Sequence, residues 1–471
     1  MGNTKPTRTE KDFLGDIKVP FNAYYGSHTA RAQENFNISG ITSPQAFKKA
    51  LGIIKLAAVK TNASLGLIEP KREKVIAEAC QEFIDGKFDQ EFVVDIFQAG
   101  AGTNYNMNAN EIIANRANEL LGDKKGEYRH VHPNNHVNMS QSSNDVTPAT
   151  IRIAILLALP ALLKELQSLE KAFGEKQRKY AKILKVGRTH LQDAVPITVG
   201  QELDSYRQAL EKSRLFITER AEDLKILGIG GTAVGTGITA DPDYKKLMLQ
   251  NLYKLTKIRF QKSKNATEIA NNMNSFANFS ATLRSLSINL LNISEDLKIM
   301  NMGPKAGLNE VTLPSVQPGS SIMPGKVNPS ILECIDMIAV QVLGNDTTIE
   351  FAAQKSHFEL NVMGPVIMYN ILQSIEILTN GLRLLREKCI QNLEYNKTII
   401  KSLFENSLSA ATALVPYLGY ELTADIVKSA LKKNIPVKTE LISRKLYTAS
   451  EIEKILSVEA ITNPIRIRKA R

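Results

Sequence analysis

The sequence predicts a mainly α-helical protein built around a bundle of long helices. Three observations predict it. In residues 151–183, Ile155, Leu159, Leu162, Leu166, Leu169 and Phe173 are spaced by 4, 3, 4, 3 and 4, an a/d-type seam. In residues 266–300, Leu283, Leu290 and Leu297 recur every seven residues, and so do Ser280, Ser287 and Ser294. A seven-residue register belongs to a long helix in a bundle, and small serines in one seam let neighbouring helices approach closely. Finally, five long helical stretches are joined only by loops, which leaves little room for a sheet.

Taken in chain order, residues 1–146 read as an N-terminal domain of short helices and loops rich in Asn, Gly and His. Residues 147–398 read as the central long-helix bundle. Its first helix carries Pro160, an expected kink. Its second runs through Leu203, Tyr206, Leu210, Ile217, Ala221 and Leu224, stops at Gly228, and opens on Thr198-Val-Gly-Gln201, a capping box. The 266–300 helix follows, then helical stretches at about 330–355 and 366–392. Residues 399–471 read as a small C-terminal domain of shorter helices around "GYELTADIV" (419–427). Seams of this length exceed what one chain's own helices cover, so oligomerisation is expected.

Composition bounds the function. The chain has 471 residues, 43% of them hydrophobic, which favours a large core over disorder. The formal net charge is +11, but the basic residues are dispersed, with modest density only at Lys428–Lys445 and Arg466–Arg471. Clustered Lys/Arg with interleaved aromatics are lacking, so no nucleic-acid partner is expected. A basic surface also suits attraction of a small dianion. Cys80, Cys334 and Cys389 are far apart with no CxxC spacing, which suggests neither a disulfide framework nor a metal site and fits a reducing compartment. The opening "MGNTKPTRTEKDF" has no apolar core of a signal peptide, and the apolar run "IAILLALPALL" (153–163) is shorter than the roughly 20 residues of a membrane span. A soluble, cytoplasmic protein with no membrane partner is expected.

Polar residues gather in four loops, each beside a helix end. "QAGAGTNYNMNANEIIAN" (98–115) offers Gly100, Gly102 and Thr103. "NMSQSSNDVTPAT" (138–150) offers Ser142, Ser143, Asn144 and Asp145, all N-cap types. "KVGRTHLQDAVPITVGQE" (185–202) offers Arg188, Thr189, His190 and Gln192. "GSSIMPGKVNPS" (319–330) offers Ser320, Ser321, Lys326 and Asn328. Any one loop is explained by capping, and His190 or Lys326 alone by packing or solvation. The combination, hydroxyls and amides with one His and one Lys but no metal-ligand cluster, suits a small dicarboxylate held at helix N-termini.

"GSSIMPGKVNP" resembles the signature loop of the fumarase/aspartase superfamily, whose members eliminate fumarate from succinyl substrates. "GTNYNMNANE", "HVNMSQSSND", "GRTHLQDAVPITVGQE" and "GGTAVGTGI" stand in the order that family shows. The resemblance spans nearly the whole chain. It implies a three-domain fold whose long central bundle assembles as a homotetramer with active sites shared between chains. Within the superfamily, residues 12–39, "GPKAGLNEVTLP" (303–314), "GNDTTIEFAA" (344–353) and "ELNVMGPVI" (359–367) resemble aspartate ammonia-lyases, and the chain lacks the Trp that fumarases usually place in the first of these. Other features lean to class II fumarase. "RHVHPNNH" (129–136) resembles the fumarase second anion site, although Asn135 departs from its usual Asp. "GGTAVGTG" is closer to fumarase, and Ser143 stands where many aspartases have Thr.

The resemblance implies anti elimination of ammonia from L-aspartate to give fumarate, through an aci-carboxylate dianion. The alternative is reversible hydration of fumarate to L-malate. A catalytically silent member is a third reading, which the intact Ser320, Lys326, Asn328, Thr189 and His190 oppose. By resemblance Thr103, Ser142, Ser143 and Ser321 grip the β-carboxylate, and Thr189, Lys326 and Asn328 the α-carboxylate. Asn144 and His190 lie near the amino group, Ser320 is the base on a mobile loop, and Glu333 orients His190. No cofactor is implied, and no metal site is visible.

Overall fold

The computed structural model describes residues 6–464, so the Arg466–Arg471 run and the first five residues lie outside the described residues. The chain is mainly helical, and among the described residues every sheet has only two strands. Cα packing divides it into two compact units, 1–163 with 215–287 and 340–379, and 164–214 with 288–339 and 380–471. The division runs through all five long helices: Ser143–Lys179, Val199–Ala221, Asn274–Asn301, Ser330–Ala353 and Gly364–Lys388.

The seams read from sequence are core. Ile155, Leu159, Leu162, Leu166, Leu169 and Phe173 are all buried, as are Leu203, Tyr206, Leu210, Ile217, Ala221 and Leu224. The Ser143–Lys179 helix is apolar and long enough to cross a membrane by composition, but 67% of its most apolar stretch is buried inside the protein, as a core helix would be. It starts well before residue 151 and runs unbroken through the expected kink at Pro160, which sits on the exposed face where water can satisfy the carbonyl left without a donor. The second helix ends at Ala221 rather than Gly228, giving way to a 3-10 turn at Glu222–Lys225. Its capping box is reciprocal. Gln201 N donates to Thr198 Oγ1 (3.1 Å), and Thr198 N donates to Gln201 Oε1 (3.0 Å).

The 266–300 stretch is two helices, Ala266–Asn271 and Asn274–Asn301. Asn272 breaks it, because its side chain accepts from Asn274 N (2.9 Å) and so starts the second helix. In that helix Leu283, Leu290 and Leu297 are buried together with Ser280, Ser287 and Ser294. Ser287 Oγ donates to Leu283 O (3.0 Å) and Ser294 Oγ to Leu332 O (3.3 Å), so these two buried hydroxyls have acceptors and add little bulk.

Residues 1–146 hold longer helices than expected: Gln45–Ser64, Pro70–Ile84 and Thr103–Leu120. They also hold an unforeseen hairpin, Thr7–Asp12 paired antiparallel with Gly15–Pro20. The Thr103–Leu120 helix persists despite many asparagines, poor helix formers, because their amides bond outside the helix. Asn118 donates to Val131 O (2.6 Å) and accepts from Val131 N (3.0 Å), and Asn108 donates to Glu91 O (3.0 Å).

In the second unit the C-terminal short helices enclose their own cluster, including Leu414, Ile426, Leu441 and Ile452. There Glu440 takes hydrogen bonds from Lys433, Arg444 and Ser429, which hold its carboxyl down at about 2. On the Ser330–Ala353 helix, Met337, Val340 and Phe351 lie on one face and are 71%, 59% and 61% exposed, an apolar stripe that the described residues do not cover.

Ser287→Leu should overpack its seam. We expect a loss of about 1–3 kcal/mol of stability, read from the urea midpoint, whereas Ser287→Ala should cost about 1 kcal/mol or less.

Candidate active site

The structure sorts the residues expected to bind substrate into two groups, one in each compact unit. The first unit holds Thr103 and Ser142–Asn144. Thr103 is the first residue of the Thr103–Leu120 helix and follows Ala101 and Gly102, both left-handed (φ 58° and 70°). A Cβ on Gly102 would fall 2.6 Å from the Thr147 side chain, so only glycine lets the turn pack against the Ser143–Lys179 helix. Ser143 opens the Ser143–Lys179 helix, and Ser142 Oγ accepts from Asn144 N (3.2 Å). All four side chains are half-buried at helix N-termini, where free N–H groups and the macrodipole favour a carboxylate.

Two fixtures hold this start. Asp145 is buried and accepts from Ser142 N (3.0 Å), Gly230 N (2.9 Å) and Thr232 N (2.9 Å). It thereby joins the helix to the "GGTAVGTG" loop. Asn144 Nδ2 donates to Ala233 O of the same loop (2.8 Å), which leaves Asn144 Oδ1 as an acceptor. Behind Ser143 stands Lys55, fully buried, whose three ammonium donors meet Asn106 Oδ1 (2.6 Å), Gln141 Oε1 (2.9 Å) and Asn138 Oδ1 (3.2 Å). Asn106 in turn donates to Ser143 Oγ (3.4 Å). Burial pulls the Lys55 pKa down to about 7. Sequence reasoning missed Lys55 and its cage. The available signal was the asparagine density of 104–118, too high for a solvated helix face.

Nearby, "RHVHPNNH" forms a tight turn in which His132 Nδ1 accepts from Asn134 N (3.2 Å) and Asn135 N (3.3 Å), and His136 Nδ1 accepts from His132 N (2.8 Å). Burial lowers both histidine pKa values, so both rings are held in the neutral, accepting form.

The second unit holds the rest. Thr189 and His190 sit at the end of an antiparallel hairpin, Leu184–Thr189 with Gln192–Thr198, and both are exposed. Its two-residue turn, His190-Leu191, has both residues left-handed (φ 52° and 63°). The hairpin is tied to the aspartase-like 303–314 segment. Buried Glu310 accepts from Arg188 (2.8 Å) and pairs with Lys185 Nζ (3.1 Å), which also donates to Glu202 (2.6 Å).

The 319–330 loop is closed at its neck, where Gly319 N donates to Lys326 O (2.8 Å) and Asn328 Nδ2 donates to Gly319 O (3.0 Å). Ser321 and Lys326 are exposed, and among the described residues Lys326 forms no ion pair. Ser320 Oγ accepts from two backbone donors, Ile322 N (3.2 Å) and Met323 N (3.0 Å). Glu333 lies in the first turn of the Ser330–Ala353 helix, exposed, with no hydrogen bond or ion pair to His190. The structure therefore brings together Thr103, Ser142, Ser143 and Asn144 in one unit as helix-start groups. In the other it joins Ser320, Lys326 and Asn328 in one loop and Thr189 and His190 in one hairpin.

The arrangement offers hydroxyl and backbone donors for carboxylates and a serine whose oxygen is already met by N–H groups. Among the described residues no three His, Cys, Asp or Glu side chains converge as metal ligands. Known proteins share this frame. Residues 15–344 match the lyase family, and residues 411–463 match the fumarase C C-terminus family. The chain is 41% identical to the aspartate ammonia-lyase of Bacillus subtilis, over 98% of each chain. It is 42% identical to the class II fumarate hydratase of Brucella suis, over 97% of this chain and 99% of that one. Its structure matches the cobalt-bound fumarate lyase:delta crystallin of Brucella melitensis with a TM-score of 0.94 at 41% identity, covering 98% and 100% of the two chains. It matches the class II fumarase of Schistosoma mansoni with a TM-score of 0.93 at 35% identity, covering 96% and 98%. By full-length similarity in both sequence and fold, the chain belongs to the fumarase/aspartase superfamily of lyases.

Proposed function

We propose that this lyase is an aspartate ammonia-lyase, with Ser320 as base. The observation that carries the base assignment is the pair of backbone N–H groups on Ser320 Oγ. A serine hydroxyl is a poor base, and donors already aimed at its oxygen stabilise the alkoxide. The alkoxide takes the C3 proton, and the electron pair passes into the β-carboxylate as an aci-carboxylate. That dianion is held by Thr103, Ser142, Ser143 and Ser321, donors preorganised where charge develops. Its collapse forms the C2–C3 double bond of fumarate and expels ammonia from C2. Thr189, Lys326 and Asn328 hold the α-carboxylate, and His190 lies near the leaving group. No cofactor enters this reaction.

The two succinyl substrates share both carboxylates, so the choice lies at the leaving group. An ammonium donates hydrogen bonds, and Asn144 Oδ1 is left as an acceptor because its Nδ2 is engaged by Ala233 O. This feature, with the aspartase-like stretches 12–39, 303–314 and 344–367, supports aspartate over malate. The second reading, class II fumarase, rests on the similarity to the Brucella suis enzyme and on the "RHVHPNNH" turn.

The reading includes a homotetramer with sites shared between chains. Its support is the uncovered Met337–Val340–Phe351 stripe. A reducing, cytoplasmic setting is part of the same reading, supported by three unpaired cysteines of which Cys80 and Cys389 are buried. A disulfide in the protein isolated from its source would contradict it.

Purified protein should release fumarate and ammonia from L-aspartate, run in reverse at high ammonia, and turn over L-malate poorly. Rapid turnover of malate with none of aspartate would reassign it to fumarase. Ser320→Ala should lower kcat by about three orders of magnitude with KM nearly unchanged, and retention of more than about a tenth of kcat would exclude Ser320 as base. Inactive Thr189→Ala and Ser320→Ala proteins, mixed and reassociated after reversible dissociation, should regain activity. A fully active monomer by light scattering would remove the shared site.

A further inference from the structure

Arg152 lies about two turns beyond Asn144 on the same helix and is only 2% exposed. Its guanidinium sits 4.6 Å from the Phe276 ring centroid. Arg152 Nε and Nη1 are buried without a hydrogen-bond partner among the described residues, and so is the Thr232 hydroxyl. Arg152 and Thr232 line one small cavity with Asn144, Gly228, Gly231 and Ala266. Two orphaned groups in different segments therefore face one space.

A buried guanidinium without an acceptor is strongly unfavourable, and a ring face compensates only part of that. Burial lowers the Arg152 pKa to about 10, with the charges of Glu268 and Asp223 opposing, so the group is cationic at neutral pH. The cavity measures about 10 Å³, close to the space one water needs, and too small for a carboxylate or phosphate. A water can accept from the guanidinium and bond to the threonine hydroxyl at once. Its position matters because Thr232 N is bound to Asp145 and the next carbonyl, Ala233 O, holds Asn144. Thr232 also adopts a left-handed backbone (φ 54°), a conformation that needs support from its surroundings.

We propose that Arg152 and Thr232 hold one buried water between them, and that this unit fixes the 230–235 loop so that Ala233 O sets the orientation of Asn144. Arg152 and Thr232 are then positioning residues for the leaving-group end of the site, a role that rests on the proposed elimination chemistry. Neither touches the substrate.

The test uses Thr232→Val, which matches the side chain in shape and removes only the hydroxyl, and Thr232→Ser, which keeps it. High-resolution crystal structures of the full-length proteins should show one ordered water on Arg152 and Thr232 in the wild type and in Thr232→Ser. In Thr232→Val the water should be lost and the Asn144 side chain displaced. KM for L-aspartate should rise about tenfold in Thr232→Val, as expected when one hydrogen bond to a charged group is misaligned, with kcat changed less. Thr232→Ser should restore KM, and melting temperatures should agree within a few degrees. A wild-type map in which Arg152 bonds directly to protein acceptors with no water between would overturn the proposal. So would an undisplaced Asn144 with unchanged KM in Thr232→Val. If the wild type acts on neither aspartate nor malate, the elimination reading fails by itself, and the density at Arg152 and Asn144 still decides the water and its effect on Asn144.

Discussion

The candidate site of the first unit depends on one buried carboxylate. Asp145 spends both oxygens on backbone N–H groups, one on its own helix start and two on a loop about 85 residues away in sequence. Burial raises its pKa to about 6, while those three donors and the Lys55 charge pull it down. Without the carboxylate, three N–H groups would be left unpaired in the interior, each at a penalty of about 1–3 kcal/mol. Ser142, Ser143 and Asn144 directly precede Asp145, so their placement follows from this bond set. The helix that begins there is 37 residues long. A rigid element of that length ends in a fixed point only if its first turn is anchored.

What was legible in the sequence was whatever repeats or stands next to its partner. The seven-residue leucine and serine register reads directly as a buried seam, because helical periodicity maps sequence onto one face. The Thr198–Gln201 box is local, and its two hydrogen bonds form as the pattern indicates. Three of the four polar loops fall at helix starts, as their capping residues indicate, whereas 185–202 is largely a β-hairpin with Thr189 and His190 at its tip, away from any helix end. What was not legible rests on distant partners. The asparagines of 104–118 disfavour a helix until Val131 and Glu91 supply acceptors and donors. Lys55 is an ordinary lysine in sequence, and its role comes from Asn138 and Gln141, more than 80 residues on. The break at Asn272 was hidden by a seam that continues in register on its far side. The direction of the Asn144 amide was also not legible, since it is set by Ala233 O, almost 90 residues on.

The two compact units hold their candidate residues in different ways. One contributes groups fixed by buried polar networks: Lys55 with its amide cage, and Asp145 with its loop. The other contributes exposed groups on a hairpin and a glycine- and proline-shaped loop. On the proposed mechanism, preorganised donors suit the carboxylate on which charge develops, and the loop carries the serine that takes the proton. The Glu310 ion pairs with Lys185 and Arg188 anchor the first strand of the hairpin below its exposed tip.

That tip, His190-Leu191, occupies the two turn positions that Asn-Gly fills with least strain. Left-handed backbone at a histidine and a leucine is unfavourable by about 1–2 kcal/mol for each residue. Leu191 is moreover 71% exposed and recovers little by burial. Selection for foldability alone would steer these codons toward Asn-Gly. A library enriched for heat resistance would find the same replacement early, gain a firmer hairpin, and discard the imidazole. On the proposed role of His190, the turn is thus a place where thermal selection and catalytic selection pull in opposite directions, and where a more robust protein would be the less useful one.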